Sequence, residues 1–88
     1  MYKLCLNNKF ERDLKLCKKQ GKDLTKLSTI VEKLRCGDNL SNYKDHSLRG
    51  NWKNRRELHI EPDWLLIYYI EDDTLYLVAT GSHTYLFD

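Results

Sequence analysis

Proline and glycine are scarce in this 88-residue chain, one and four respectively, which excludes collagen-like, mucin-like and Pro/Gly-rich disordered classes. Cysteine is thin as well. Cys5, Cys17 and Cys36 are odd in number, widely spaced and contain no CxxC pair, so neither a disulfide framework nor a zinc ribbon is expected; the three read as buried thiols. No apolar run approaches the roughly 18–20 residues of a bilayer span. The opening MYKLCLNNKF lacks the apolar core and small-residue cleavage site of a signal peptide, so a cytoplasmic location with no membrane partner is expected. Basic residues are missing from the second part of the chain: all fifteen Lys and Arg lie in residues 1–56 against six acids, a balance of +9, whereas residues 57–88 hold seven acids and none. One part therefore projects positive potential, suited to nucleic-acid phosphates or an acidic protein, or to solvated helix faces alone.

The remaining composition, 41% hydrophobic and 32% charged, is that of a globular domain, read as one unit over 1–88. Tyr2, Leu4 and Leu6 alternate with Lys3 and Cys5, predicting a short half-buried strand. Asn7 and Asn8 offer a cap, and Phe10, Leu14 and Cys17 recur at helical spacing from Lys9 to about Gln20, where Gly21 ends the helix. Asp23 caps a second helix whose stripe is Leu24, Leu27, Val31 and Leu34, stopped by Gly37. GDNLSNYKDHSLRGNW (37–52) has turn chemistry without a period and reads as a long connection, able to include the start of a strand. From Arg55 the pattern alternates, Leu58 and Ile60 against Glu57, His59 and Glu61, until Pro62. WLLIYYI (64–70) is apolar on both faces, as a central strand requires. EDDT (71–74) reads as a turn, LYLVATG (75–81) as the last strand and SHTYLFD (82–88) as a tail. The order β-α-α-β-β-β predicts an α+β fold, an N-terminal strand and helical hairpin packed on a largely antiparallel sheet.

The chemistry-bearing residues gather after position 45. His46 lies in the long connection, His59 on the polar face of its strand and His83 just beyond the last strand; if those strands are neighbours, the imidazoles converge on the face opposite the helices, with Asp63 near His59. None has the i, i+4 spacing of a zinc-binding helix. Each has a plainer reading: solvated loop or strand histidines, Asp63 as a turn residue, Trp64 and Phe87 as packing, and Lys53, Arg55 and Arg56 as a solvated strand edge.

YKDHSLRGNWK (43–53), RELHIEPDWLLIYYI (56–70) and TGSHTYLF (80–87) resemble the three signature blocks of the YafQ-type toxins, within the RelE/ParE superfamily of bacterial type II toxin–antitoxin modules. The HIEPDWLLIY block is the specific one; residues 1–36 match in helical pattern only. Ser47 stands where relatives often have Pro, and Ser82 where Thr is common. The resemblance implies a ribosome-dependent mRNA endonuclease acting in the A site, held inactive by a cognate antitoxin, with a toxin–antitoxin heterotetramer as the complex. It implies His83 as general acid and His46, or His59 assisted by Asp63, as base. Lys53 and Arg56 are then candidates to stabilise phosphate charge, and Trp64 and Phe87 to stack on a base. Lys15, Lys18, Lys19, Lys22 and Lys26 would track ribosomal RNA. No metal or cofactor is required by this scheme. The readings beside it are a non-catalytic RNA- or ribosome-binding module, a gyrase-directed ParE-like toxin and a metal-dependent nuclease.

Overall fold

Both helix boundaries follow from their caps. Asn7 accepts the Phe10 N–H at 2.7 Å and starts α1 (Asn8–Lys19), and the Asp23 carboxylate accepts the Thr25 N–H and starts α2 (Leu24–Arg35). Gly21 and Gly37 leave the two helices at φ 77° and 78°, left-handed values that only glycine adopts without strain. Their apolar stripes meet the sheet through Phe10, Cys17, Leu27, Ile30, Val31 and Leu34. Ile30 completes a stripe that the sequence pattern had shown in part. The computed structural model describes residues 1–88, the side chain of Asn51 excepted.

Five strands form one mixed sheet in the order β1-β5-β4-β3-β2: β1 (Lys3–Leu6), β2 (His46–Ser47), β3 (Arg56–Glu61), β4 (Trp64–Glu71) and β5 (Thr74–Gly81). β1 runs parallel to β5, and every other pair is antiparallel. The α+β layout expected from the sequence is present, with two additions. The long connection contributes β2, and the expected tail folds as a short helix, α3 (His83–Phe87). Its cause is local: the Ser82 hydroxyl accepts the Tyr85 N–H and caps the turn.

Period two assigns the sheet faces. Leu58 and Ile60 of β3, Trp64, Leu66 and Tyr68 of β4, and Leu75 and Leu77 of β5 join the helix-side core. Glu57, His59, Leu65, Ile67 and Tyr69 alternate with them and point to the opposite face. A bulge between β4 and β5 leaves Val78 as the extra residue, because Ile67 pairs with Ala79 and Tyr68 with Leu77. The alternation of β5 therefore changes phase, and Thr80 returns to the helix side. Leu65, Ile67 and Ala79 are as buried as the helix-side core, which explains why β4 reads as apolar on both faces.

Of the cysteines expected inside, Cys17 alone is buried. Cys5 stands on an edge strand, on the side away from the helices, and Cys36 follows the last residue of α2, so neither meets the core.

Tyr68 carries a pH consequence. Burial first, and then its hydrogen bond to Asp45 Oδ2 at 2.6 Å, push its phenol well above the ordinary tyrosine range. A group whose folded-state value is raised adds stability in full below its unfolded value near 10, and loses it as pH rises toward the folded value. Thermal midpoints should therefore fall above about pH 10. The fall should be smaller in Tyr68→Phe, as read by calorimetry across that range; an equal fall in both proteins would remove Tyr68 from the account.

Candidate active site

β2 exists because the chain after Lys44, itself at φ 59°, turns back along β3 and pairs His46 with Glu57. That register puts three side chains on the open face. His46 Nε2 lies 3.5 Å and His59 Nε2 3.6 Å from the same Glu57 Oε1. The other ring nitrogens are engaged by backbone: Nδ1 of His46 is 2.7 Å from the Lys44 carbonyl, and Nδ1 of His59 is 3.1 Å from the Pro62 carbonyl. A carbonyl only accepts, so each Nδ1 carries the proton, and each Nε2 is the atom left to gain or lose one. Glu57 is 6% exposed, and one oxygen of its carboxylate faces both rings. The sequence reading placed Glu57 only on a polar strand face. The available signal was its i, i+2 spacing to His59, which in a strand means the same side.

His83 reaches this region from the other end of the chain. Leu65 pairs with both His59 and Gly81, so His59 and Gly81 flank one strand and sit about 10 Å apart. His83 follows two residues later as the first residue of α3. Its backbone N–H donates to Asp63 Oδ1 at 3.1 Å, in the turn whose Pro62 carbonyl holds His59. Asp63 thus positions the start of α3, while the carboxylate facing the His59 ring is Glu57. His46 and His59 share one end of the open face, and the turn that holds His59 also anchors the backbone of His83. His59 alone lines a shallow depression of about 280 Å³ with Tyr43 and Pro62.

α3 is held on both sides. His83 and Phe87, one turn apart, pack with ring centres 4.9 Å apart and planes tilted by 49°, and Phe87 meets Trp52 edge-on at 5.8 Å. Tyr85 points the other way, toward α1, and its hydroxyl donates to Asp13 Oδ1 at 2.6 Å. Asp13 is 1% exposed and also accepts from the Thr80 N–H and from Lys9 Nζ. The hydrogen bond to Asp13 raises the Tyr85 phenol above its usual range. Gly81, at φ 156°, lets the Tyr85 ring lie against the backbone, since a Cβ there would stand 2.6 Å from it. Asp13 escaped the sequence reading, although a carboxylate three residues after Phe10 and four before Cys17 lies on the apolar stripe.

Other expected site residues have different fates. Trp64 is 1% exposed on the helix side and donates its indole N–H to Thr80 Oγ1 at 2.9 Å, so it is core and presents no face to a base. Arg56 alternates to the helix side, where its Nε donates to Asp45 Oδ1 at 3.0 Å. The strand cation on the histidines' face is Arg55. Lys53 is exposed, and Phe87 is half-buried beside His83. Of the helical lysines, Lys26 is paired with Glu61 at 2.7 Å and Lys22 lies over the Trp64 ring, while Lys15, Lys18 and Lys19 are exposed. No helix is long and apolar enough to cross a membrane.

The model for the bacterial toxin of type II toxin–antitoxin systems, YafQ, matches residues 2–88. The mRNA interferase toxin YafQ of Escherichia coli K12 is 40% identical over 88 aligned positions, covering 92% of this chain and 90% of that protein. A copper-bound L66S mutant toxin from Helicobacter pylori superposes with a TM-score of 0.93 at 40% identity, over 99% of this chain and 100% of that one. The toxin in the E. coli DinJ-YafQ complex superposes with a TM-score of 0.90 at 37% identity, over the whole of both chains. Although that Helicobacter relative holds copper, among the described residues here no group of three or more His, Cys, Asp or Glu is arranged to hold a metal ion.

Proposed function

Because this chain belongs to the YafQ family of bacterial type II toxin–antitoxin toxins, we propose that it cleaves mRNA on the ribosome with His83 as general acid and the His46–Glu57–His59 group supplying the base. The activity at the coarser level is that of an mRNA interferase toxin with a cognate antitoxin. The observation that supports the finer reading is the pair of imidazoles held on one buried carboxylate, beside the turn that anchors the His83 backbone.

The step balances without a further reactant. The 2′-oxygen attacks phosphorus as an Nε2 of the base group takes its proton, the P–O5′ bond breaks, and His83 protonates the departing oxygen. A 2′,3′-cyclic phosphate and a 5′-hydroxyl result. His46 is the more exposed ring, 52% against 26% for His59, and is the one that reaches the 2′-hydroxyl; Glu57 then meets the imidazolium it becomes. His59 holds Glu57 from its other side. Lys53 supplies positive charge toward the phosphorane, and Phe87 bounds the base next to His83. No step passes through a metal ion.

Lys15, Lys18 and Lys19 face outward from α1, a cationic surface for ribosomal RNA that places the site in the A site and makes activity fall steeply with salt. The same positive charge suits an acidic antitoxin segment that folds over the toxin, in a cytoplasmic heterotetramer.

Cleavage of mRNA on translating ribosomes, mapped by primer extension, tests the reading. Glu57→Gln keeps the shape and removes the charge, and should lower kcat about 10- to 100-fold and displace the pH profile of cleavage. Folded wild-type protein that leaves mRNA intact would sink the nuclease. A Glu57→Gln enzyme with an unchanged rate and profile would remove the carboxylate from the base group.

A further inference from the structure

At the opposite end of the open face the sheet carries a column of aromatic rings and one guanidinium. Tyr69 of β4 pairs with Tyr76 of β5, and their rings stack with centres 4.5 Å apart and planes 9° from parallel. Arg55, immediately before β3, sets its guanidinium carbon 3.9 Å from the centre of the Tyr69 ring. The column therefore crosses three neighbouring strands. Strand alternation puts it on the same side as Glu57 and His59, and the row holding His59 and Leu65 is four residues along β4, about 13 Å away.

The helix-side core uses none of these three residues, and each is half-buried. Arg55 enters no ion pair among the described residues, whereas its neighbour Arg56 is tied to Asp45. The Tyr69 ring holds the Arg55 guanidinium, and among the described residues its N–H donors enter no side-chain hydrogen bond, so they remain available to phosphate or base edges. Aromatic faces beside a fixed cation are how single-stranded RNA is held without a demand for one base, because every base has a π-face.

We infer that the Arg55–Tyr69–Tyr76 column is a nucleobase-stacking subsite for single-stranded RNA flanking the scissile phosphate. A base extends the stack on the Tyr76 side, over Cys5 of the edge strand β1, and Arg55 meets the adjoining backbone. The inference takes its substrate from the nuclease reading and adds where a neighbouring nucleotide is held.

The probe is a short oligoribonucleotide with 2-aminopurine walked along its length, bound to the full chain carrying His83→Ala so that it stays intact. Fluorescence should be quenched at positions to one side of the site. Tyr76→Leu should abolish that quench and weaken binding roughly 5- to 150-fold, the range of one lost base stack, while Tyr76→Phe keeps both. In ribosomal cleavage with His83 restored, Tyr76→Leu should raise KM and leave kcat within about twofold. Equal thermal midpoints for Tyr76→Leu and Tyr76→Phe show that stacking, and not folding, was removed. Absence of quenching at every position overturns the subsite, as does a Tyr76→Leu protein that binds like its parent while mRNA is still cleaved; in that last case the nuclease reading survives. Tyr76-dependent binding by a wild-type chain that cuts no mRNA would do the reverse.

Discussion

His83→Ala is expected to lower mRNA cleavage about 10²- to 10⁴-fold, the usual contribution of a positioned proton donor, and to leave the fold in place. The second half of that expectation follows from how α3 is anchored. His83 is exposed, and the bond to Asp63 comes from its backbone N–H, which alanine retains. Ser82 still caps the helix, and Tyr85 still reaches Asp13. The side chain gives up its tilted contact with Phe87 and its proton, little else. Rates on translating ribosomes beside a thermal melt and antitoxin binding separate the outcomes. Undiminished cleavage would take His83 out of the acid role. An RNA- or ribosome-binding module without chemistry would show no cleavage in either protein and equal ribosome binding in both. Inhibition of gyrase supercoiling would instead place the chain with the ParE-like toxins.

The largest effect on stability should come from a residue remote from the substrate. Asp13→Ala removes the acceptor shared by Tyr85, Thr80 and Lys9 at a position 1% exposed to water. Lys9 is part-exposed and rehydrates, but the Thr80 N–H is buried in the sheet and the Tyr85 hydroxyl loses its partner. Together these put the expected loss at about 2–4 kcal/mol, measured by denaturant unfolding. Asp13→Asn, which keeps a carbonyl acceptor, should lose less, because one of the two bonds from neutral donors persists. A midpoint unchanged in Asp13→Ala would mean that solvent satisfies those donors. Since Tyr85 lies between His83 and Phe87 on α3, the residual folded fraction should also cleave more slowly than stability alone dictates, a comparison made well below the melting range.

Elements with a strong local signal were legible from their residues. Asn7, Asp23, Gly21 and Gly37 bracket both helices as expected, and the two-sided apolar run of β4 is the central strand it resembled. The signature blocks led to the family. Failures share a cause. Whether Arg55 or Arg56 faces the histidines depends on strand parity relative to Leu58, and the side chains differ too little for composition to choose. Trp64 took the plainer of its two readings, packing, and Glu57 lies on the strand face expected of it but is buried there between two imidazoles, which its sequence position does not show. α3 is a single capped turn whose sequence is too short to show a period.

Local chemistry in the chain thus fixed which segments are helix, strand and turn, because caps, glycine conformations and apolar spacing act over a few residues. Assembly alone decided the site. His46, Glu57, His59, Asp63 and His83 come from a loop strand, a strand, a turn and a terminal helix, and only the pairing of β2 with β3, β3 with β4 and β4 with β5 sets their spacing. A carboxylate becomes a proton-transfer partner through its distance to a ring and its removal from water, and both are properties of the packed sheet, absent from any stretch of residues read alone.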